Sequence, residues 1–290
     1  MHILTAFLIV VVATACSKEV DSVVPYVGEQ LVVNSVLVPG QAITVYVSKT
    51  APVIGNIPKD LSLSDAIVTL FQDNQLLEVL QTDGNGTYIS DHQPVPGSSY
   101  SAEIRHPDLG LISTDSQVIP AAPQLTDYRY QPGTVVPLND SAEAGRLLLT
   151  LVDSLPDGYY SVDVRGFRDT EEVAINVWRP EQIEDVGNTC GFVGGNDTFD
   201  FSKACFTNDM YQAEFGVETT GFLDGEIVEC THLVATIAKI SEDYYRYLET
   251  SVQPEGIDLA FAEPQIVFSN VQGGYGLLGA EHAVEIVIDL

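Results

Sequence analysis

Apolar side chains in this chain recur at every second position rather than every third or fourth. Leu31, Val33, Ser35 and Leu37 share one parity, and Ile43, Val45 and Val47 alternate with Thr44, Tyr46 and Ser48. Farther on, Ala66, Val68 and Leu70 alternate with Ile67, Thr69 and Phe71. Successive side chains of a strand point to opposite faces, so this period describes half-buried β-strands. Pro39-Gly40, Asp73-Asn74, Asp83-Gly84-Asn85-Gly86 and Pro96-Gly97 punctuate the runs. Gly and Asn tolerate positive φ, which lets tight hairpins close. Short strands separated by such turns predict a small β-sandwich over residues 29–120, with a long loop at 51–64.

Pro120-Ala121-Ala122-Pro123 marks a stiff linker, because each proline holds itself and its predecessor extended. Beyond it, residues 124–290 read as a second β-rich domain. Its strand candidates are 147–152, 159–167, 173–178, 265–268 and 284–290, with 226–240 as a long central strand. Residues 188–206 are rich in Gly, Asn and Asp and read as a long structured loop or irregular hairpin. One helix is expected, at about 241–252. Ser241 is placed to cap it, Glu242 and Asp243 complement the positive end of its dipole, and Pro254 and Gly256 end it. Tyr244, Tyr245, Leu248 and Val252 fall at helical spacing, so Tyr244 and Tyr245 are assigned to the core and Tyr247 to a more exposed face. The expected fold class is all-β: two β-sandwich-like domains, the second with one short amphipathic helix.

The N-terminus carries a different signal. Residues 3–12 are apolar almost throughout, and Ala13-Thr14-Ala15-Cys16 follows. A spanning helix needs roughly 20 apolar residues, so this run fits a secretory signal better than a membrane span. Small residues followed by Cys16 resemble a bacterial lipobox, in which the cysteine is lipidated and the signal is removed. The expected layout is a lipoprotein signal peptide at 1–15 and a lipidated tether at 16–28, held to the bilayer through acylated Cys16. Each buried acyl carbon contributes about 0.8 kcal/mol, so several chains make a lasting anchor. Ser17-Lys18-Glu19 resembles short signals that send some lipoproteins to the cell exterior. Lys and Arg number 12 against 41 Asp and Glu, a net charge of −29, which opposes nucleic acid as a partner.

Two family resemblances extend this reading. Ala66-x-Val68-x-Leu70, Gly86-x-Tyr88 and Pro96-Gly97-x-x-Tyr100 are similar to immunoglobulin-like sandwiches of the carboxypeptidase-regulatory or transthyretin type. That likeness implies a tyrosine packed at a strand corner and no activity. Leu31-Val32-Val33-Asn34, Ile240-Ser241-x-Asp243-Tyr244-Tyr245-x-Tyr247-Leu248, Glu263-Pro264-x-x-Val267-x-Ser269-Asn270-Val271 and Gly273-Gly274-x-Gly276 resemble a Bacteroidota lipoprotein family, domain of unknown function 4249. Leu277-Leu278 departs from the aromatic expected near its glycine turn. The resemblance implies an outer-membrane location, facing the exterior, and a TonB-dependent receptor as partner, without implying chemistry.

No catalytic motif stands out. GxSxG, P-loop and HExxH patterns do not occur. Among the cysteines, Cys190 and Cys205 enclose a Gly-rich loop and are the expected disulfide of an exported protein. Cys230 and His232, two apart on an expected strand, lack the remaining ligands of a metal site and read as packing residues. Asp83-Gly84-Asn85 and Asn196-Asp197 resemble calcium loops, but a hairpin turn and loop polarity explain them better. Tyr247 and Asn270 remain as possible ligand contacts, with no metal and no cofactor expected. The function expected is a lipid-anchored binding or accessory subunit of a TonB-dependent outer-membrane nutrient receptor. A structural or adhesive envelope lipoprotein is the alternative, and a glycan or peptide hydrolase the third reading.

Overall fold

A computed structural model describes residues 26–52, 58–138, 142–179, 191–193, 198–252 and 266–290. The expected signal peptide, Cys16 and Cys190 lie outside the described residues. The first sandwich begins with β1 (Leu31–Leu37), β2 (Thr44–Lys49), β3 (Ile67–Gln72), β4 (Gln75–Val79), β5 (Gln81–Gly84), β6 (Thr87–Ile89), β7 (Ser99–His106), β8 (Gly110–Thr114) and β9 (Gln117–Val118). After the proline linker come β10 (Gln124–Pro132), β11 (Ala144–Val152), β12 (Tyr159–Arg168), β13 (Glu171–Val173), β14 (Val177–Trp178), β15 (Gly191–Val193) and β16 (Phe199–Ser202). Next are β17 (Met210–Glu218), β18 (Thr220–Leu223), β19 (Glu226–Glu229) and β20 (His232–Ile240). Helix α1 (Glu242–Ser251) precedes β21 (Val271–Gln272) and β22 (Tyr275–Asp289).

The last strand joins the two halves. Over Tyr275 to Ala280 it runs parallel to β1, and over Glu281 to Asp289 it runs antiparallel to β20. Its 15 residues at about 3.3 Å each are long enough to cross from one sandwich to the other. One sheet therefore continues through both, in the order β15-β16-β12-β20-β22-β1-β2-β6-β5. On the first half packs β21-β8-β7-β3-β4, and on the second half β10-β11-β17-β14. Val271, Leu278 and Ala280 belong to the first core with Val33, Val45 and Ile104, whereas Ile288 belongs to the second with Leu149, Phe201 and Phe215. The linker at 120–123 separates two sets of strands, but the segment at 271–280 returns to complete the first.

The first core follows the sequence parity. The burial pattern of β1 alternates strictly, and β2 buries Val45 and Val47 while exposing Thr44 and Tyr46. Tyr88 and Tyr100 are both buried with their hydroxyls paired. Tyr88 accepts from the Ala66 N–H at 2.9 Å and donates to the Leu63 carbonyl at 3.0 Å. Tyr100 accepts from the Val95 N–H at 3.1 Å, the corner contact that the resemblance implies. Burying a tyrosine is favourable only where its hydroxyl finds such a partner.

Four local expectations are corrected. Residues 226–240 are not one strand: β19 ends at Glu229, the Cys230 N–H turns to the Thr219 carbonyl, and the Thr231 N–H turns to Phe167. The final strand begins at Tyr275 rather than 284, and residues 266–270 form no strand. Ser241 precedes the helix but makes no side-chain cap. Its hydroxyl accepts from the Ala280 N–H at 3.2 Å instead, pinning the helix start to β22.

Candidate functional site

Helix α1 lies beside the point where β22 changes partners, and between them is a cleft of about 650 Å³. Its floor is the outward face of three adjacent strands. Tyr46 on β2, Asn34 on β1 and Leu277 on β22 stand in register as one row across that face, with Thr44 and Val36 beside them. Its wall is a single helical stripe, Tyr244, Tyr247, Leu248 and Ser251, spaced i, i+3, i+4, i+7. Tyr245 turns away from the cleft, packs with Ala238 and Ile240, and meets Tyr159 at 4.8 Å between ring centroids. Burial pushes the Tyr245 hydroxyl up to about 12.

Two features hold the helix there. A Cβ at Gly279 would sit 3.1 Å from Cβ and Cγ of Tyr244, so the absent side chain permits this close approach. A buried polar node does the rest. Asp243 Oδ2 accepts from Gln117 Nε2 at 2.6 Å and from Asn270 Nδ2 at 2.9 Å. Asn270 also donates to the Leu278 carbonyl at 2.9 Å and accepts from the Leu278 N–H at 3.0 Å. Asn270 is only 3% exposed, so its amide serves the framework and the expectation of a ligand contact there is corrected. The neighbouring glycines are needed by the same turn: Gly273 and Gly276 have φ of +82° and +116°, and a Cβ at Gly274 would meet the Leu31 carbonyl oxygen at 2.6 Å.

Tyr247 does line the cleft. The row opposite it escaped sequence reasoning. Parity places Asn34 and Tyr46 on the outward face, but nothing local says that β22 and a helix flank that face. Among the described residues, the lining contains no carboxylate, histidine, cysteine or cation. Burial, then the charge of Glu281, raises the Tyr244 hydroxyl above its ordinary range and keeps it a neutral donor. The arrangement is suited to holding a ligand by contact and hydrogen bonding.

The other singled-out residues lie elsewhere. Cys205 is disulfide-bonded and packs at the edge of the second core. Cys230 is a free, buried thiol that burial pushes up to about 11. It packs over Gly166, where a Cβ would approach its Sγ to 2.7 Å, while His232 stacks on Phe167 at 5.4 Å. The two are not partners on one strand face, because Cys230 precedes β20. The Asp83 to Gly86 stretch is the β5–β6 hairpin turn, with positive φ at Gly84, Asn85 and Gly86.

A second polar cluster, Asp153, Tyr160, Lys239 and Lys203, is closed on itself. Asp153 Oδ2 accepts a short bond from Tyr160 and another from Lys239 Nζ at 2.5 Å, and Oδ1 accepts from the Leu155 N–H at 2.9 Å. Lys203 donates to the Asp153 carbonyl and lies 3.2 Å from Asp209. Burial works against the Asp153 charge, but the hydrogen bonds from Lys239, Tyr160 and Leu155 outweigh it and hold the carboxyl below its ordinary range. The cluster is a paired buried ion site in the framework.

Residues 17–286 match the family model described as Domain of unknown function (DUF4249). No curated protein matches the chain.

Proposed function

The chain belongs to the DUF4249 family, and from that premise we propose that it is a lipid-anchored envelope protein that acts by binding. It sits in the outer membrane, faces the cell exterior, and serves a TonB-dependent nutrient receptor as an accessory subunit. The observation that carries the binding role is the cleft beneath α1, lined by three tyrosines and small polar groups. The anchor is supported by the apolar run at 3–12 and Ala13-Thr14-Ala15-Cys16. The outward orientation is supported by Ser17-Lys18-Glu19 and a net charge of −29, which suits a solvated exterior.

The test has three arms. Cys16→Ser is expected to release the protein from the membrane fraction; a variant still held in the outer membrane refutes the anchor. Protease added to intact cells is expected to cut the wild-type chain; cleavage only after lysis places it facing the periplasm. Extraction in mild detergent is expected to copurify a large barrel protein; its absence favours the structural or adhesive role.

A further inference from the structure

Asn34 and the three cleft tyrosines share a property that narrows what they hold. Among the described residues, the Asn34 carboxamide and the hydroxyls of Tyr46, Tyr244 and Tyr247 make no hydrogen bond to protein, although all four line the cleft. By contrast, the hydroxyls of Ser35 and Ser251 are already donated to the carbonyls of Thr44 and Leu248, at 2.8 and 3.0 Å. Phenol and carboxamide groups each both donate and accept. Four such groups converging on one cleft match a ligand whose own groups do both at close spacing.

We propose that the cleft binds a neutral oligosaccharide, an inference that rests on the cleft being the binding site of the preceding section. A hydroxyl donates and accepts, as these side chains do; a carboxylate or phosphate only accepts and an ammonium only donates. Charge argues the same way. A net −29 repels an anion, and among the described residues the lining offers a cation no carboxylate to pair with. The rings and the side chains of Val36, Leu248 and Leu277 present apolar surface to the C–H faces of a sugar ring, toward which an aromatic face is electrostatically negative. The volume of about 650 Å³ lies within the roughly 300–1,000 Å³ of small-ligand sites.

An extended peptide fits less well. Peptides commonly dock by adding a strand to a free sheet edge. Among the described residues, β1 is flanked by β2 and β22, and β2 by β1 and β6; on the outer side of β22 the Leu278 N–H and C=O are taken by Asn270, and those of Ala280 by Ser241.

The experiment uses the full-length protein in mild detergent and isothermal titration with linear gluco-, xylo-, manno- and galacto-oligosaccharides. Oligogalacturonate and a proline-rich peptide serve as the charged and peptide probes. At least one neutral oligosaccharide is expected to bind. Tyr247→Ala is expected to weaken it at least tenfold, and Tyr247→Phe and Asn34→Ala by a smaller factor. Tyr128→Ala, on a separate groove beside β10, is expected to leave it unchanged. Circular dichroism confirms that each variant is folded. Failure of every neutral oligosaccharide overturns the proposal, as does binding that Tyr247→Ala and Asn34→Ala leave intact. Peptide or oligogalacturonate binding that is lost in those variants also overturns the ligand class, while leaving the cleft as the binding site.

Discussion

Replacing Asn270 by alanine tests whether the polar node beneath α1 supports both sandwiches. The change removes three hydrogen bonds: two to the Leu278 backbone and one to Asp243. Asp243 keeps its 2.6 Å bond from Gln117. Leu278 is fully buried, and its N–H and C=O each lose their Asn270 partner. An unsatisfied buried group costs about 1–3 kcal/mol, so two give about 2–6 kcal/mol. Water entering the vacated carboxamide space trims the sum toward its lower half, and the expected loss is about 3 kcal/mol. At about 2–4 °C per kcal/mol, Tm falls by about 6–12 °C. Urea unfolding is followed by far-UV circular dichroism and by the fluorescence of Trp178, the single tryptophan, which reports on the second sandwich. Because β22 and α1 link the halves, both signals are expected to shift together. A loss under about 0.5 kcal/mol, the size of an ordinary surface change, refutes the role of the node. A shift in dichroism with an unmoved Trp178 transition refutes the coupling. Asn270→Asp adds a second check: it sets a carboxylate against Asp243 and should recover stability as pH falls.

Lys239→Met is expected to cost about 3–5 kcal/mol at neutral pH, because Asp153 is left buried without its cation; urea midpoints measure it. In the wild type the lowered Asp153 pKa adds stability that is present above the ordinary carboxylate range. That stability is lost as pH falls through the depressed value, so the penalty of Lys239→Met shrinks in acid. Asp200 behaves oppositely: burial raises its pKa against the hydrogen bonds of Ser161 and Thr198 and the charge of Arg179, and among the described residues its Oδ1 has no hydrogen-bond partner. Its ionisation therefore destabilises the fold as pH rises, and Asp200→Asn is expected to gain more stability at pH 7 than at pH 4; an equal gain at both sinks this account. Mass mapping of non-reduced peptides is expected to find Cys190 joined to Cys205, with Cys230 free; a Cys205 joined elsewhere refutes that pairing.

Much of the local structure was legible because it depends on near neighbours. Period-two alternation identified β1, β2 and β3 and their buried faces, since each strand buries one parity whatever lies beyond it. Gly40, Asp73, Asn74, Gly84, Asn85, Gly86 and Gly97 all have the positive φ that their turn sequences announce. The helix was legible to within one residue at each end, and so was its stripe of tyrosines, but not which of them faced a cavity. Tyr244 and Tyr245 lie 100° apart on the helix, and only the position of β22 decides that one lines the cleft while the other meets Tyr159.

Ser241 shows why such choices elude sequence. Its hydroxyl suits a cap, yet Ala280, distant in the chain, presents an N–H that it accepts from instead. Asn270 resembles an exposed turn residue until Leu278 and Asp243 close around it. Alternation says which face of a strand is buried and is silent about which strand lies alongside. The sequence by itself therefore determined the alternation of β1, β2 and β3, the turns around them and the single helix. The tertiary structure decided that one 15-residue strand belongs to both cores, and that its parallel pairing with β1 sets Leu277 beside Asn34 and Tyr46. The cleft exists because of that pairing, which rests on contacts between residues at opposite ends of the chain.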